Sequence, residues 1–213
     1  MVDKKDRLYK LDIPLWAVTG GMGSGKSTVT AHLKALGHPC LEADGLIKLI
    51  YRGEETKRFI ASLDPRFIKN GQVDFAPLRQ AFWNDEDLKK KVSSHLYERI
   101  KGQFLSEYKK LVPISHLFYE IPLLFEFSLQ DKFDGIITVD CPKDEQIKRI
   151  SLRDGIPRDL AAKIISSQVD REEKKRLSHY ILDNSGNPAS LLAQTQALLD
   201  SLGLSSGEGS TFD

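Results

Sequence analysis

The chain predicts an α/β fold, a parallel sheet flanked by helices, from three observations. A short apolar run, Leu-Trp-Ala-Val-Thr at 15–19, leads straight into a glycine cluster and then into a segment of helical period. Two further runs, His-Leu-Phe-Tyr-Glu-Ile at 116–121 and Gly-Ile-Ile-Thr-Val-Asp at 135–140, are set apart by helical stretches, the alternation that builds parallel sheets through right-handed crossovers. With 213 residues, 40% of them hydrophobic and 29% charged, the chain can bury one sizeable core and is far from the composition of a disordered polymer.

Each element follows from its local pattern. The run at 15–19 follows Pro14 and reads as a buried strand. From Lys26 onward Val29, Leu33 and Leu36 recur on one helical face, and Gly37 stands where a left-handed stop belongs. A second short strand over 38–41 ends near Asp44, with a helical stretch following to about 62. Turn-formers fill 64–73, among them Asp64, Pro65, Asn70 and Gly71, before two charged helices over about 75–83 and 85–111. This helical block reads as an insertion. After the strand at 116–121 a short helix is expected behind Pro122, then the strand at 135–140 and a helix over about 143–152 that carries Arg149 and Arg153 on one face. Gly155 and Pro157 break the pattern as a hinge would, a helical stretch runs from about 159 to 177, and a last strand lies at 180–182. A final helix places Leu191, Thr195, Leu198 and Leu202 on one face, and the polar end of the chain, about 204–213, is expected to be a disordered tail.

Charge and composition exclude several classes of function. Thirty-one basic residues against 30 acidic leave a net charge of +1, so no global field draws the chain to nucleic acid or to an anionic membrane. No run of eighteen apolar residues occurs, and the opening residues lack the profile of a leader, so the expected location is cytoplasmic. Cys40 and Cys141 have neither metal nor redox spacing and are expected as buried thiols; the five histidines are not at zinc-ligand spacing. Aromatic residues are not interleaved with lysines as a base-stacking platform requires, and no Asn-Lys-x-Asp segment is present to read guanine.

The chemistry concentrates at residues 20–28, Gly-Gly-Met-Gly-Ser-Gly-Lys-Ser-Thr. Gly20, Gly25, Lys26 and Ser27 fit the phosphate-binding loop pattern, with the strand before and the helix after that the pattern demands. Glycines let successive amides turn inward around a phosphate, and the helix starting near Lys26 adds its positive end. Lys26 would neutralise β/γ-phosphate charge, and Ser27 would offer its hydroxyl to Mg²⁺ shared with the phosphates. Asp44, beyond a strand's carboxyl end, is either the group that orients an acceptor hydroxyl or a helix N-cap. Lys148, Arg149, Arg153 and Arg158 either close on a transferring phosphoryl group or form a solvated face paired with Asp144 and Asp154.

These pieces together resemble the dephospho-coenzyme A kinases over about residues 14–202. The likeness is carried by residues 18–28, by Glu-Ala-Asp at 42–44, by Ile-Pro-Leu-Leu-Phe-Glu at 121–126, by Lys148, Arg149, Arg153 and Asp154, and by Tyr-Ile-Leu-Asp-Asn-Ser-Gly at 180–186. The family uses ATP to phosphorylate the ribose 3′-hydroxyl of dephospho-CoA, the final step of coenzyme A biosynthesis. The resemblance implies one domain over 1–213 with a P-loop kinase-like parallel sheet (core about 14–52, 114–148 and 178–203), a helical substrate-binding insertion over about 53–113 and a helical lid over about 149–177. It implies Asp44, Lys26, Arg149 and Arg153 as catalytic; Gly21, Gly23, Ser24, Gly25, Lys26, Ser27 and Thr28 as the ATP-phosphate site, with Asn184 near the adenine; and Asp44, Pro122, Leu123, Leu124 and Glu126 as substrate-binding. ATP and Mg²⁺ are the implied cofactors, with Ser27 on the metal. Dephospho-CoA is the implied partner, to a monomer or small homo-oligomer. Glu42, Leu96, His179 and Glu120 depart from the residues usual in the family. The loop alone would equally serve another small-molecule or nucleoside monophosphate kinase, or a nucleotide-dependent regulatory module.

Overall fold

Residues 2–204 are described by a computed structural model; the expected tail falls, from 205 on, outside them. The apolar run becomes β1 (Leu15–Thr19), buried at every position but Trp16. Helix α1 (Lys26–Ala35) turns Val29, Thr30 and Leu33 inward, as its period requires. Strand β2 (Cys40–Glu42) runs into α2 (Ala43–Arg52), and the helical stretch expected up to 62 is divided at Gly53 into α2 and α3 (Glu54–Leu63). Residues 64–73 hold more than turns: a 3₁₀ turn, Pro65–Phe67, leads into β3 (Ile68–Lys69) and β4 (Gln72–Val73), an antiparallel pair joined by Asn70 and Gly71, both at positive φ. Helices α4 (Phe75–Asn84) and α5 (Glu86–Leu111) follow, N-capped by the Asp74 and Asp85 carboxylates.

Strand β5 (Leu117–Glu120) is buried throughout, as is β6 (Gly135–Asp140). The short helix expected behind Pro122 is absent; residues 122–128 form successive turns, ending at Ser128 with φ 52°. Then come α6 (Lys143–Asp154), α7 (Arg158–Ser166), α8 (Arg171–Arg176), β7 (Tyr180–Asp183) and α9 (Pro188–Ser201). The stretch expected as helix over 159–177 is thus two short helices with a break at 167–170.

The five-stranded sheet has the order β2-β5-β1-β6-β7, with β1 parallel to β5 and β6, and β6 parallel to β7. Register places Trp16 opposite Gly135, where a Cβ would collide with the indole ring, so glycine there lets β1 and β6 approach. Val18, Val29, Leu33, Phe118, Ile137, Val139, Leu182, Leu191 and Leu199 form the core between this sheet, α1 and α9. Cys40 and Cys141 are buried thiols, not joined by a disulfide.

Contacts group residues 41–112 as a second compact unit, so α2 sorts with the helices that follow it. Its core is Ile60, Phe67, Leu78 and Val92. In the first unit, the polar segment before β1 proves to be built in. Arg7, 7% exposed, forks onto the fully buried Asp134 carboxylate at 2.6 and 2.8 Å and also donates to the carbonyls of Leu11 and Val2. The same carboxylate accepts the Val2 amide at 2.9 Å and the Leu15 amide at 2.8 Å, fastening the entry of β1 to the turn before β6.

Candidate phosphate-binding site

At the carboxyl end of β1 the chain makes the turn its glycines allow. Gly25, at φ 105°, occupies the cap position of α1, and a Cβ there would run into the Asn184 side-chain nitrogen. The first turn of a helix leaves its amides without intrahelical partners, and here those of Lys26 and Ser27 begin the helix at the loop. Lys26 is 9% exposed and its ammonium folds back over the loop, donating to the carbonyls of Gly20 and Gly21 at 3.0 Å each. The Gly21 carbonyl also accepts the Ser24 amide at 3.1 Å. Ser24 Oγ is buried without a hydrogen-bond partner, whereas Ser27 and Thr28 are exposed at the start of α1. One turn along, Thr30 donates to Glu120 at the end of β5, at 2.8 Å.

Two sequence-predicted residues meet this loop directly. Asn184 is 7% exposed and donates from its side-chain amide to the Ser24 carbonyl at 2.7 Å; its own amide donates to the Asp140 carbonyl at 2.7 Å. Arg149 reaches the Asn184 carbonyl at 3.1 Å and the Gly23 carbonyl at 3.4 Å. Arg153 does not join it: that side chain is exposed and forks onto its neighbour Asp154 at 2.7 and 2.9 Å. A spacing of four puts both arginines on one side of α6, but only Arg149 lies where α6 passes the loop.

Within the 121–126 run the residues divide. Leu124 is fully buried, Leu123 is 40% exposed and Pro122 part-exposed. Glu126 is engaged within the protein: one carboxylate oxygen accepts the Val169 amide at 3.0 Å and lies 3.4 Å from the buried Lys174 ammonium.

Several contributors carry no recognisable signal of their own. Gln168 accepts the Met22 amide of the loop at 3.1 Å, and Arg171 forks onto Asp140 at 2.7 and 2.6 Å, a pairing that raises the guanidinium pKa. Gln146 donates to the Cys141 carbonyl at 2.6 Å and packs where a Cβ on Gly21 would stand. A cavity of about 250 Å³ opens beside the loop, lined in part by Gly21, Asp140, Lys143, Arg171 and Lys174. Its lining sets the basic side chains of Lys143, Arg171 and Lys174 against the carboxylates of Asp140 and Asp170.

Asp44 belongs to the second unit, exposed in the first turn of α2. It is not an N-cap: Glu42 holds that position, with no side-chain capping bond. In the same unit His95 is buried, bonded to Thr56 Oγ1 at 2.9 Å and stacked on Phe59 at 3.9 Å between ring centroids. Burial, then the charge of Arg99, pushes its pKa down. Among the described residues no three His, Cys, Asp or Glu side chains gather as a metal cluster, and no helix is long and apolar enough to cross a membrane.

The chain is similar to known proteins. The family model described as dephospho-CoA kinase matches residues 15–190. The dephospho-CoA kinase of Yersinia pseudotuberculosis is 33% identical over 190 residues, covering 86% of this chain and 89% of that protein. That of Thermus thermophilus is 29% identical over 195 residues, covering 90% and 94%. A crystal structure from Thermus thermophilus superposes with a TM-score of 0.77 at 28% identity, covering 89% of this chain and 98% of that one.

Proposed function

The chain belongs to the dephospho-CoA kinase family, and on that premise we propose that the loop at 20–28 holds ATP while its γ-phosphoryl group passes to the ribose 3′-hydroxyl of dephospho-CoA, giving CoA. The observation that carries the reading is the seating of Lys26. Its ammonium is drawn over the loop by the Gly20 and Gly21 carbonyls, beside the start of a helix, so positive charge and helix-end amides meet at one loop. The donor set fits a polyphosphate: glycines at positive φ, a buried lysine, the exposed hydroxyls of Ser27 and Thr28, and Arg149 alongside.

Phosphoryl transfer makes small covalent demands on a protein; position and charge do most of the catalysis. Lys26 offsets charge on the β/γ-phosphates, and Arg149, anchored on the Gly23 and Asn184 carbonyls, adds a second fixed cation. Asn184 holds the Ser24 carbonyl and so keeps the loop's curvature. Asp44 is the group we assign to orient, and take the proton of, the acceptor hydroxyl. Ser27 would hold Mg²⁺, which when bound supplies charge neutralisation and alignment of the phosphates.

Incubation with Mg·ATP and dephospho-CoA, in parallel with AMP, CMP and shikimate, tests the reading. CoA formation is expected with the first acceptor. Product from another acceptor and none from dephospho-CoA would overturn it.

A further inference from the structure

We infer that Gln168 is a positioning residue for Lys26, acting through a single peptide of the phosphate loop. The peptide joining Gly21 to Met22 is held at both ends. Its carbonyl accepts the Lys26 ammonium at 3.0 Å and the Ser24 amide at 3.1 Å; its N–H donates to the Gln168 side-chain carbonyl at 3.1 Å. A peptide unit is planar, so fixing the direction of the N–H fixes that of the carbonyl. That carbonyl seats the ammonium together with that of Gly20. Rotation of this one peptide would therefore take from Lys26 an acceptor that seats it, and the glutamine is what opposes that rotation from the amide side.

Gln168 is itself held in place. The next residue, Val169, donates its amide to Glu126 at 3.0 Å, and the buried Lys174 lies 3.4 Å from the same carboxylate oxygen. Arg171 forks onto Asp140 at the end of β6. Residues 168–174 are thus pinned to the turn after β5 and to the end of β6 while the glutamine reaches back to the loop. The choice of side chain fits the place. A primary amide offers a neutral acceptor to Met22, whereas a carboxylate would set a negative charge beside a site for polyphosphate.

The inference rests on the reading of Lys26 as a phosphate ligand, and the test separates the two. Full-length protein and the variants Gln168→Met and Gln168→Glu would be compared for ATP Kd, for KM of each substrate and kcat, and for hydrogen exchange of the Met22 amide without nucleotide. The parent chain has two methionines and Gln168→Met adds a third, so ¹⁵N-methionine labelling leaves few signals, and the one the parent lacks belongs to position 168. Gln168→Met is expected to speed Met22 exchange and weaken ATP binding about three- to tenfold, the scale of one neutral hydrogen bond, with KM for dephospho-CoA little changed. Gln168→Glu keeps an acceptor, so Met22 stays protected while the added charge weakens ATP binding. A Met22 amide as protected in Gln168→Met as in the parent, or ATP held as tightly or more tightly by that variant, overturns the inference alone. A parent protein that binds no ATP overturns the kinase reading with it.

Discussion

Replacing Asp134 by alanine probes the tie between the amino-terminal segment and the sheet. The carboxylate is fully buried and takes two hydrogen bonds from Arg7, one from the Val2 amide and one from the Leu15 amide. Without it, a guanidinium only 7% exposed loses its counter-charge and two amides lose their acceptor. Removing one partner of a buried ion pair costs about 3–5 kcal/mol, because the remaining charge is left desolvated. Domains of this size have about 5–15 kcal/mol in all, and each kcal/mol moves the melting temperature by roughly 2–4 °C, so the expected drop is roughly 6–20 °C. Urea unfolding followed by circular dichroism, beside a thermal melt, measures it. The double variant Arg7→Met, Asp134→Leu should recover much of the loss, since no charge is then stranded. The pH response follows in sign. Burial alone would raise the Asp134 pKa, but the Arg7 hydrogen bonds and the Leu15 amide hold it below the usual carboxylate range. Its contribution is therefore complete above that range and is lost only as pH falls through the lower folded value. A loss under about 1 kcal/mol for the alanine variant would refute the argument, since it would mean that Arg7 regains water at little cost.

At the site, Lys26→Ala is expected to weaken ATP binding and to lower kcat by on the order of a hundredfold, by the scale of one lost charge-stabilising donor; a kinase assay with ATP titration checks it. Asp44→Asn should leave ATP affinity nearly intact while kcat falls about 10²–10⁴-fold, the range of a lost general base, and unchanged turnover removes Asp44 from the mechanism. Gly25→Ala would place a side chain at φ 105° against Asn184, so ATP binding measured by calorimetry should be largely lost even if the fold survives. His38 and His116 share a hydrogen bond of 3.0 Å, and burial pushes both pKa values down, His116 further through the charge of His38. Folding thus favours their neutral forms: this stability is complete above the unfolded value of about 6.5 and declines as pH falls through the folded ones. Urea midpoints from pH 7.5 to 5 should slope downward, and His116→Phe should flatten the slope.

Elements whose signal is local are legible in the sequence. The strands at 15–19 and 135–140 stand where their apolar runs do, because a central strand of a parallel sheet is buried on both faces and need not alternate. The loop is legible for a similar reason: its glycines, lysine and following helix are contiguous. The turns at 122–128 imitate a helix because Leu123, Leu124 and Phe127 fall at helical spacing, yet Ser128 at positive φ closes the segment. The hairpin at 68–73 announces itself through Asn70 and Gly71, but two-residue strands are too short to show a period. Gln168, Arg171 and Asp140 give no sign in the sequence of belonging to the site. Each is an ordinary surface-type residue whose meaning lies in a partner 31 to 146 positions away.

The seating of α8 has a thermal consequence. Its one buried residue is Lys174, and what fixes the segment is an ion pair, a fork of hydrogen bonds and the glutamine contact, with no apolar side chain of the helix buried. Heat capacity rises on exposure of apolar surface and falls on exposure of polar surface. Detaching α8 would therefore carry a smaller heat-capacity change than unfolding the sheet. The curvature that makes a folded core most stable near room temperature would be weaker for this helix, so cooling would loosen its attachment less than it weakens the core.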